Sequence, residues 1–194
     1  MASITFKRKY HIHEVIGATS ANESYMITDP ETGCGLAAVN EKPGVGTTVA
    51  KAFFDKLLLP SKFEMVSSEG SLILEMCQPA SLIKPVFTVK TSEGRILCSI
   101  KSNSNRLNPR IDVLDERGQL VGSVTSSWRV QDFDFNDMTG KPIAKIHHCN
   151  GGFIRDTFTT ADDYDVEMLI EVPDSGMAAV ALAVTVAIDT WYHE

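Results

Sequence analysis

Three aspartates, Asp162, Asp163 and Asp165, fall within four positions, and Glu167 follows two residues later. Carboxylate oxygens are the hard ligands that Ca²⁺ prefers, so this is the stretch whose residue types suggest ion binding. It lacks the central glycine and the twelve-residue register of an EF-hand loop; a solvated acidic turn is the competing reading. His147, His148 and Cys149 are metal-ligating types in a row, but neighbours on a strand point to opposite faces and do not converge. His11 and His13 would share a face, yet they supply two ligands where a structural zinc site needs four. The segment 43–48, PGVGTT, lacks the Lys-Ser/Thr ending of a phosphate loop. With no GxSxG elbow and no HExxH motif, the expectation is a protein that is not an enzyme.

A second stretch suggests contact with a surface. After Gly44 and Gly46, Thr47 or Thr48 can cap a helix running to about Leu59. Val49, Phe53 and Leu57 make an apolar stripe, and Phe54 and Leu58 widen it. Lys51 and Lys56 lie beside that stripe. Such a helix either covers one end of the fold or presents Phe53, Phe54, Leu57 and Leu58, with Lys51 and Lys56, to a membrane or a partner protein.

These segments need a scaffold, and the most apolar stretch of the chain supplies its centre. From Met177 to Ile188 there is no charge, and Pro173, Asp174 and Ser175 precede it as helix-start chemistry. A helix apolar on every face must be surrounded. Twelve residues rise about 18 Å, short of a bilayer core of about 30 Å, so the expectation is a core helix wrapped by protein.

The wrapper is legible as a repeat. An alternating run enters a polar turn ending in glycine, and a second alternating run leaves it. The glycines fall at 70, 94, 118 and 140, steps of 24, 24 and 22, with an earlier copy ending at Gly33. Asp or Ser early in such a turn and Gly at its left-handed position are hairpin chemistry. Ile96, Cys98 and Ile100 are expected on one face, as are Leu120, Gly122 and Val124, and Phe133 with Phe135. Five or more such hairpins predict a meander that closes, with more strands than a barrel filled by side chains alone.

Bulk composition agrees with a single domain over 1–194. Hydrophobic residues are 43% and charged residues 22%. The net charge of −7 argues against nucleic acid as a partner. Cys34, Cys77, Cys98 and Cys149 lie far apart, as free thiols of a reducing cytoplasm do, with two or three expected to be buried on strands. The first fifteen residues contain no apolar signal core.

Taken together, the strand–turn–glycine repeat, Asp174 ahead of the apolar run, and Ile188-Asp189 followed by an aromatic end and Glu194 resemble the phospholipid scramblase and LURP-one-related group of the tubby C-terminal-like superfamily. The resemblance runs from Tyr25 to Glu194. It implies a closed antiparallel barrel of about twelve strands around a buried hydrophobic C-terminal helix. It also implies a role in phospholipid or membrane-surface binding, or as a binding scaffold for another protein, with cytoplasmic and peripheral-membrane location. Ca²⁺-dependent phospholipid scrambling is the sharper form of that implication, and a soluble regulatory role without lipid is the plainer one. Against the scramblase Ca²⁺ segment Asp163 falls in place, and Asp162 and Asp165 are shifted neighbours.

Overall fold

The computed structural model describes residues 3–15, 23–42, 59–81, 84–103, 110–126, 131–149 and 162–192. Twelve strands follow one another: β1 (Lys9–Glu14), β2 (Ser24–Thr28), β3 (Gly35–Glu41), β4 (Ser61–Ser67), β5 (Leu72–Gln78), β6 (Val86–Thr91), β7 (Ile96–Ser102), β8 (Arg110–Leu114), β9 (Leu120–Ser126), β10 (Asp132–Asp137), β11 (Pro142–Cys149) and β12 (Asp163–Met168). Each pairs antiparallel with its neighbours in sequence, and β12 pairs with β1 to close the ring. Closure leaves no unpaired edge. The helix α1 (Ser175–Tyr192) follows the last strand and occupies the lumen. This is the closed antiparallel barrel around a buried C-terminal helix that the residues predict. The amphipathic helix expected over 47–59 lies outside the described residues, except for Leu59, which sits in a bend.

Asp174 starts the helix as expected. Its Oδ1 accepts from the backbone N–H of Gly176 at 2.8 Å and of Met177 at 3.0 Å, satisfying two of the donors that a helix start leaves open. Every residue from Ala178 to Trp191 is buried. The helix side is built largely from small residues (Ala178, Ala179, Ala181, Ala183 and Ala187), and the wall supplies the bulk: Tyr10, Tyr25, Tyr164, Phe63, Phe87, Phe133 and Phe135. Thr185 and Thr190 turn their hydroxyls back onto the carbonyls of Ala181 and Val186, at 3.0 and 2.8 Å, so neither hydroxyl is stranded in the core.

The helix is longer than the charge-free run suggests. Eighteen residues rise about 27 Å, close to a bilayer core, and by length and composition α1 is apolar enough to cross one. Length therefore does not separate the two readings. Enclosure does: the wall of β-strands surrounds the helix on every face.

The two ends of the barrel differ. At one end the strands are joined by the five glycine turns, with Gly33, Gly70, Gly94, Gly118 and Gly140 all at positive φ between 70 and 87°. Each of these hairpins carries a bulge at the same place. The register slips opposite Leu36, Ile73, Leu97, Val121 and Ile143, one extra apolar residue per hairpin. In β5 and β11 the bulge makes two successive residues point inward, Ile73 with Leu74 and Ile143 with Ala144. It also breaks the expected alternation: Ile96 and Leu120 are 41% and 38% exposed, although Cys98, Ile100 and Val124 face the core. At the other end lie the longer connections and the end of α1. Of the four thiols, only Cys98 is fully buried, one fewer than the sequence suggests at the least; Cys77 and Cys149 are half-buried and Cys34 is exposed.

Candidate functional site

Outward positions on β10, β11, β12 and β1 form three rows in which acidic residues alternate with lysine, histidine or cysteine, two rows crossing four strands and one crossing three. One row reads Asp134, Lys145, Glu167, Lys9; the next reads Asp132, His147, Asp165, His11; the third reads Cys149, Asp163, His13. Opposite charges directly across a sheet stabilise the pairing. His147 Nδ1 lies 2.6 Å from Asp132 Oδ1, His11 Nδ1 lies 2.8 Å from Asp165 Oδ1, and His13 Nδ1 lies 2.5 Å from Asp163 Oδ1. The Cys149 thiol donates to Asp165 Oδ2 at 3.4 Å. Burial pushes that thiol up to about 11, and the Asp165 carboxylate beside it adds to the shift. For Asp165 itself burial acts upward, but the bonds with His11 and Cys149 outweigh it and hold the carboxyl below its ordinary value.

This geometry divides the aspartates of the acidic segment. Asp163 and Asp165 face outward, each beside a histidine. Asp162 precedes the strand and turns the other way, 3.0 Å from Nε2 of the buried His148. His147 and His148 likewise take opposite faces, as their adjacency on a strand requires. Among the described residues, no group of three or more His, Cys, Asp or Glu is placed to hold a metal ion. Below the histidine row the wall opens into a groove of about 580 Å³, with Lys9, Asp134, Lys145, His147 and Glu167 along it and Pro30 at its side. Charge of both signs lines it, which suits a polar partner rather than an acyl chain. The sequence signal for these residues was the period-two charge on each strand. Reading it as a surface requires the register between strands, which a single strand does not carry.

A second cluster lies inside the barrel, at the end where α1 finishes. Asp189 is buried in the last turns of the helix. Its Oδ2 accepts from Tyr25 of β2 at 2.7 Å, and its Oδ1 accepts from Tyr164 of β12 at 2.7 Å. Burial pushes the Asp189 carboxyl up to about 6; the two phenols oppose that shift, and the nearby charges of Glu14 and Asp162 reinforce it. Glu23 and Glu41 are buried at the same rim, with the Glu23 backbone N–H donating to Glu41 Oε2 at 3.2 Å. The sequence marks Asp189 as the end of the apolar run, but not as a group held inside the barrel.

The remaining residues expected at a surface, Lys51, Phe53, Phe54, Lys56, Leu57 and Leu58, lie outside the described residues. The strands that frame them are described: β3 ends at this rim and β4 begins there, with Gln78 Nε2 donating to the carbonyl of Leu59 at 3.2 Å. Lys42, Lys62, Lys84, Lys101 and Arg110 stand at strand ends along the same side. The opposite rim is acidic. Glu31, Glu69, Glu93, Asp115, Glu116 and Asp137 lie on its glycine turns against Arg95, Arg117 and Lys141. Several of these carboxylates hold the turns themselves: Asp115 Oδ1 accepts from the N–H of Arg117 and of Gln119, both at 2.8 Å.

No family model matches the sequence. No curated protein matches it either. The fold does have a likeness among solved structures. The chain is similar to an X-ray structure of a protein from Arabidopsis thaliana at 15% sequence identity and a TM-score of 0.55, over 93% of this chain and 90% of that one. At that identity the likeness concerns the fold: a closed antiparallel barrel built around a helix, over nearly the whole of both chains.

Proposed function

We propose that this protein is a non-enzymatic, scramblase-related tubby-like module that binds phospholipid at a membrane surface, using the barrel rim from which the longer connections leave. The observation that carries the reading is the filled lumen. The helix occupies the space in which a barrel of this size would enclose a small ligand, and Val184 at its middle is wholly buried. Recognition then falls to the outside. The glycine-turn rim is acidic and is repelled by an anionic bilayer. The opposite rim mixes Lys42, Lys62, Lys84, Lys101 and Arg110 with the carboxylates Glu14, Glu23, Glu41 and Asp162, so the contact falls to its β3–β4 connection, which contains Phe53, Phe54, Leu57, Leu58, Lys51 and Lys56. Apolar side chains flanked by lysine suit the interface of an anionic membrane.

Flotation with liposomes tests this. Binding to anionic and not to neutral vesicles, without Ca²⁺ and lost on replacing Phe53 and Phe54 with serine, is the expected result. Binding that requires Ca²⁺ would favour a Ca²⁺-dependent scramblase with Asp162, Asp163 and Asp165 at the ion. A protein that stays in the soluble fraction throughout would favour a protein-binding regulatory module with no lipid role, for which the mixed-charge groove is the first surface to examine.

A further inference from the structure

Three outward histidines share one arrangement. His11, His13 and His147 each place Nδ1 against an aspartate oxygen: Asp165 at 2.8 Å, Asp163 at 2.5 Å and Asp132 at 2.6 Å. An ionised carboxylate can only accept, so the hydrogen of each neutral ring sits on Nδ1 and leaves the lone pair on Nε2. Histidines that bind metal are prepared in this way. A carboxylate behind the ring fixes its tautomer and orientation and makes the open nitrogen more basic.

His11 and His13 differ from His147 in their neighbours. They alternate along β1, so both rings leave the same face, with backbones about 7 Å apart. On β2, Met26 stands directly opposite His13 on that face. Met26 is 49% exposed, so its thioether is accessible. Cross-strand neighbours lie about 5 Å apart and diagonal ones about 7–8 Å, distances that an unbranched methionine can span.

We propose that His11 Nε2, His13 Nε2 and the Met26 thioether bind a copper ion on the outer face of β1 and β2, with Asp163 and Asp165 as positioning residues behind the two rings. Imidazole suits zinc, nickel and copper alike, but a thioether is a soft ligand and favours copper, Cu(I) above all. Ca²⁺ asks for six to eight oxygens, and here the two aspartates are turned to the histidines instead. Their negative charge offsets that of the ion. Lys9, next on the same face of β1, leans to Glu167 at 4.0 Å. Cys149 lies across β12 from β1, about 10 Å away by strand spacing, and its thiol is bonded to Asp165. Among the described residues the imidazole, thiol and carboxylate groups supply only two ligands to one point; the thioether is the third.

Titration of the full chain with Cu²⁺ tests the site, followed by calorimetry and electron paramagnetic resonance. A single bound ion with nitrogen hyperfine structure is expected. His11→Gln and His13→Gln should each weaken binding by roughly tenfold or more, and Asp163→Ala by about tenfold, the scale of an outer partner. His147→Gln loses the same kind of aspartate-held ring and should leave binding unchanged. Met26→Leu should lower the reduction potential of the bound copper, because it removes the ligand that favours Cu(I). All these side chains lie on the outer face, so the core is untouched. Copper retained equally by His11→Gln and His13→Gln is held elsewhere and overturns the proposal. A protein that binds no Cu²⁺ overturns it too, as does a potential that Met26→Leu leaves unchanged.

Discussion

The indole N–H of Trp191 donates to Oε1 of Gln78 at 2.9 Å, joining the end of the core helix to the end of β5 across 113 residues of sequence. The same indole stacks on Phe87 of β6 at 5.3 Å, and Phe87 meets Phe63 of β4 edge-on at 5.8 Å. Apolar packing and a directional bond thus fix the helix end together. Trp191→Phe keeps a ring against Phe87 and removes the donor to a buried amide oxygen; it is expected to cost about 1–3 kcal/mol. Trp191→Ala also empties the site and is expected to cost about 3–5 kcal/mol. Denaturant unfolding followed by circular dichroism checks both values.

Val184 separates a core helix from a membrane segment. Its side chain is wholly enclosed by the barrel. Val184→Asp buries an unpaired charge at a cost on the order of 5 kcal/mol or more, comparable to the whole stability of a domain. The variant is expected to be unfolded or insoluble. A folded, monomeric Val184→Asp protein that only loses vesicle binding would place the helix outside the barrel in solution.

Gly122 is a glycine by packing rather than by turn geometry. A Cβ built there would meet Asn136 O and Phe135 Cε2, both at 2.8 Å. Gly122→Ala is expected to force the Phe135 ring and the β10 backbone to move, at about 1–3 kcal/mol. Gly118 presents the opposite case, with open space around its Cβ position and a φ of 77°. Gly118→Val is expected to cost about 1–3 kcal/mol through backbone strain, and Gly118→Asn much less, since Asn tolerates that conformation. Thermal melts of the three variants separate clash from strain.

Stability should peak in mildly acid solution. Its acid limb comes from carboxyls held below their ordinary values: Glu75, Asp137, Asp165 and above all Asp29, where Lys7 Nζ at 2.8 Å, with the N–H of Glu31, depresses the carboxyl from 3.8 to about 2. A depressed carboxyl contributes stability above its unfolded value and loses it as pH falls toward 2. The other limb comes from Asp189, raised to about 6, whose contribution is complete below 3.8 and is lost as pH rises through 6. Chemical denaturation across pH is expected to show Lys7→Met reducing the slope of the acid limb alone and Asp189→Asn reducing that of the other alone.

Much of this architecture was legible because its signals are local. A glycine that ends a polar turn, an alternating run and an aspartate ahead of an apolar helix each depend on neighbours a few residues away. The bulges were not legible in that way. Leu97 and Val121 look like ordinary alternating residues until the partner strand shows one residue too many, so the faces of Ile96 and Leu120 came out reversed. The site residues divide similarly. The sequence marks Asp163 and Asp165 as acidic, but His11, 154 residues from Asp165, becomes its partner only because β1 closes the ring against β12. Asp189 looks like a helix stop, and only the barrel wall, with Tyr25 and Tyr164 bonded to it, makes it a buried group.

The plug of this barrel is synthesised after its wall. All twelve strands precede α1 in the chain, so the ribosome releases a complete wall before the residues that fill it. Closure must wait as well, because β1 pairs with a strand that begins at Asp163. Until then the inward faces of Phe63, Phe87, Phe133 and their neighbours have nothing to cover. A nascent chain halted before residue 175 would hold the apolar interior of the fold without its centre. Such a chain belongs to the slow-folding, aggregation-exposed class and would depend on chaperones, whereas the finished protein would not.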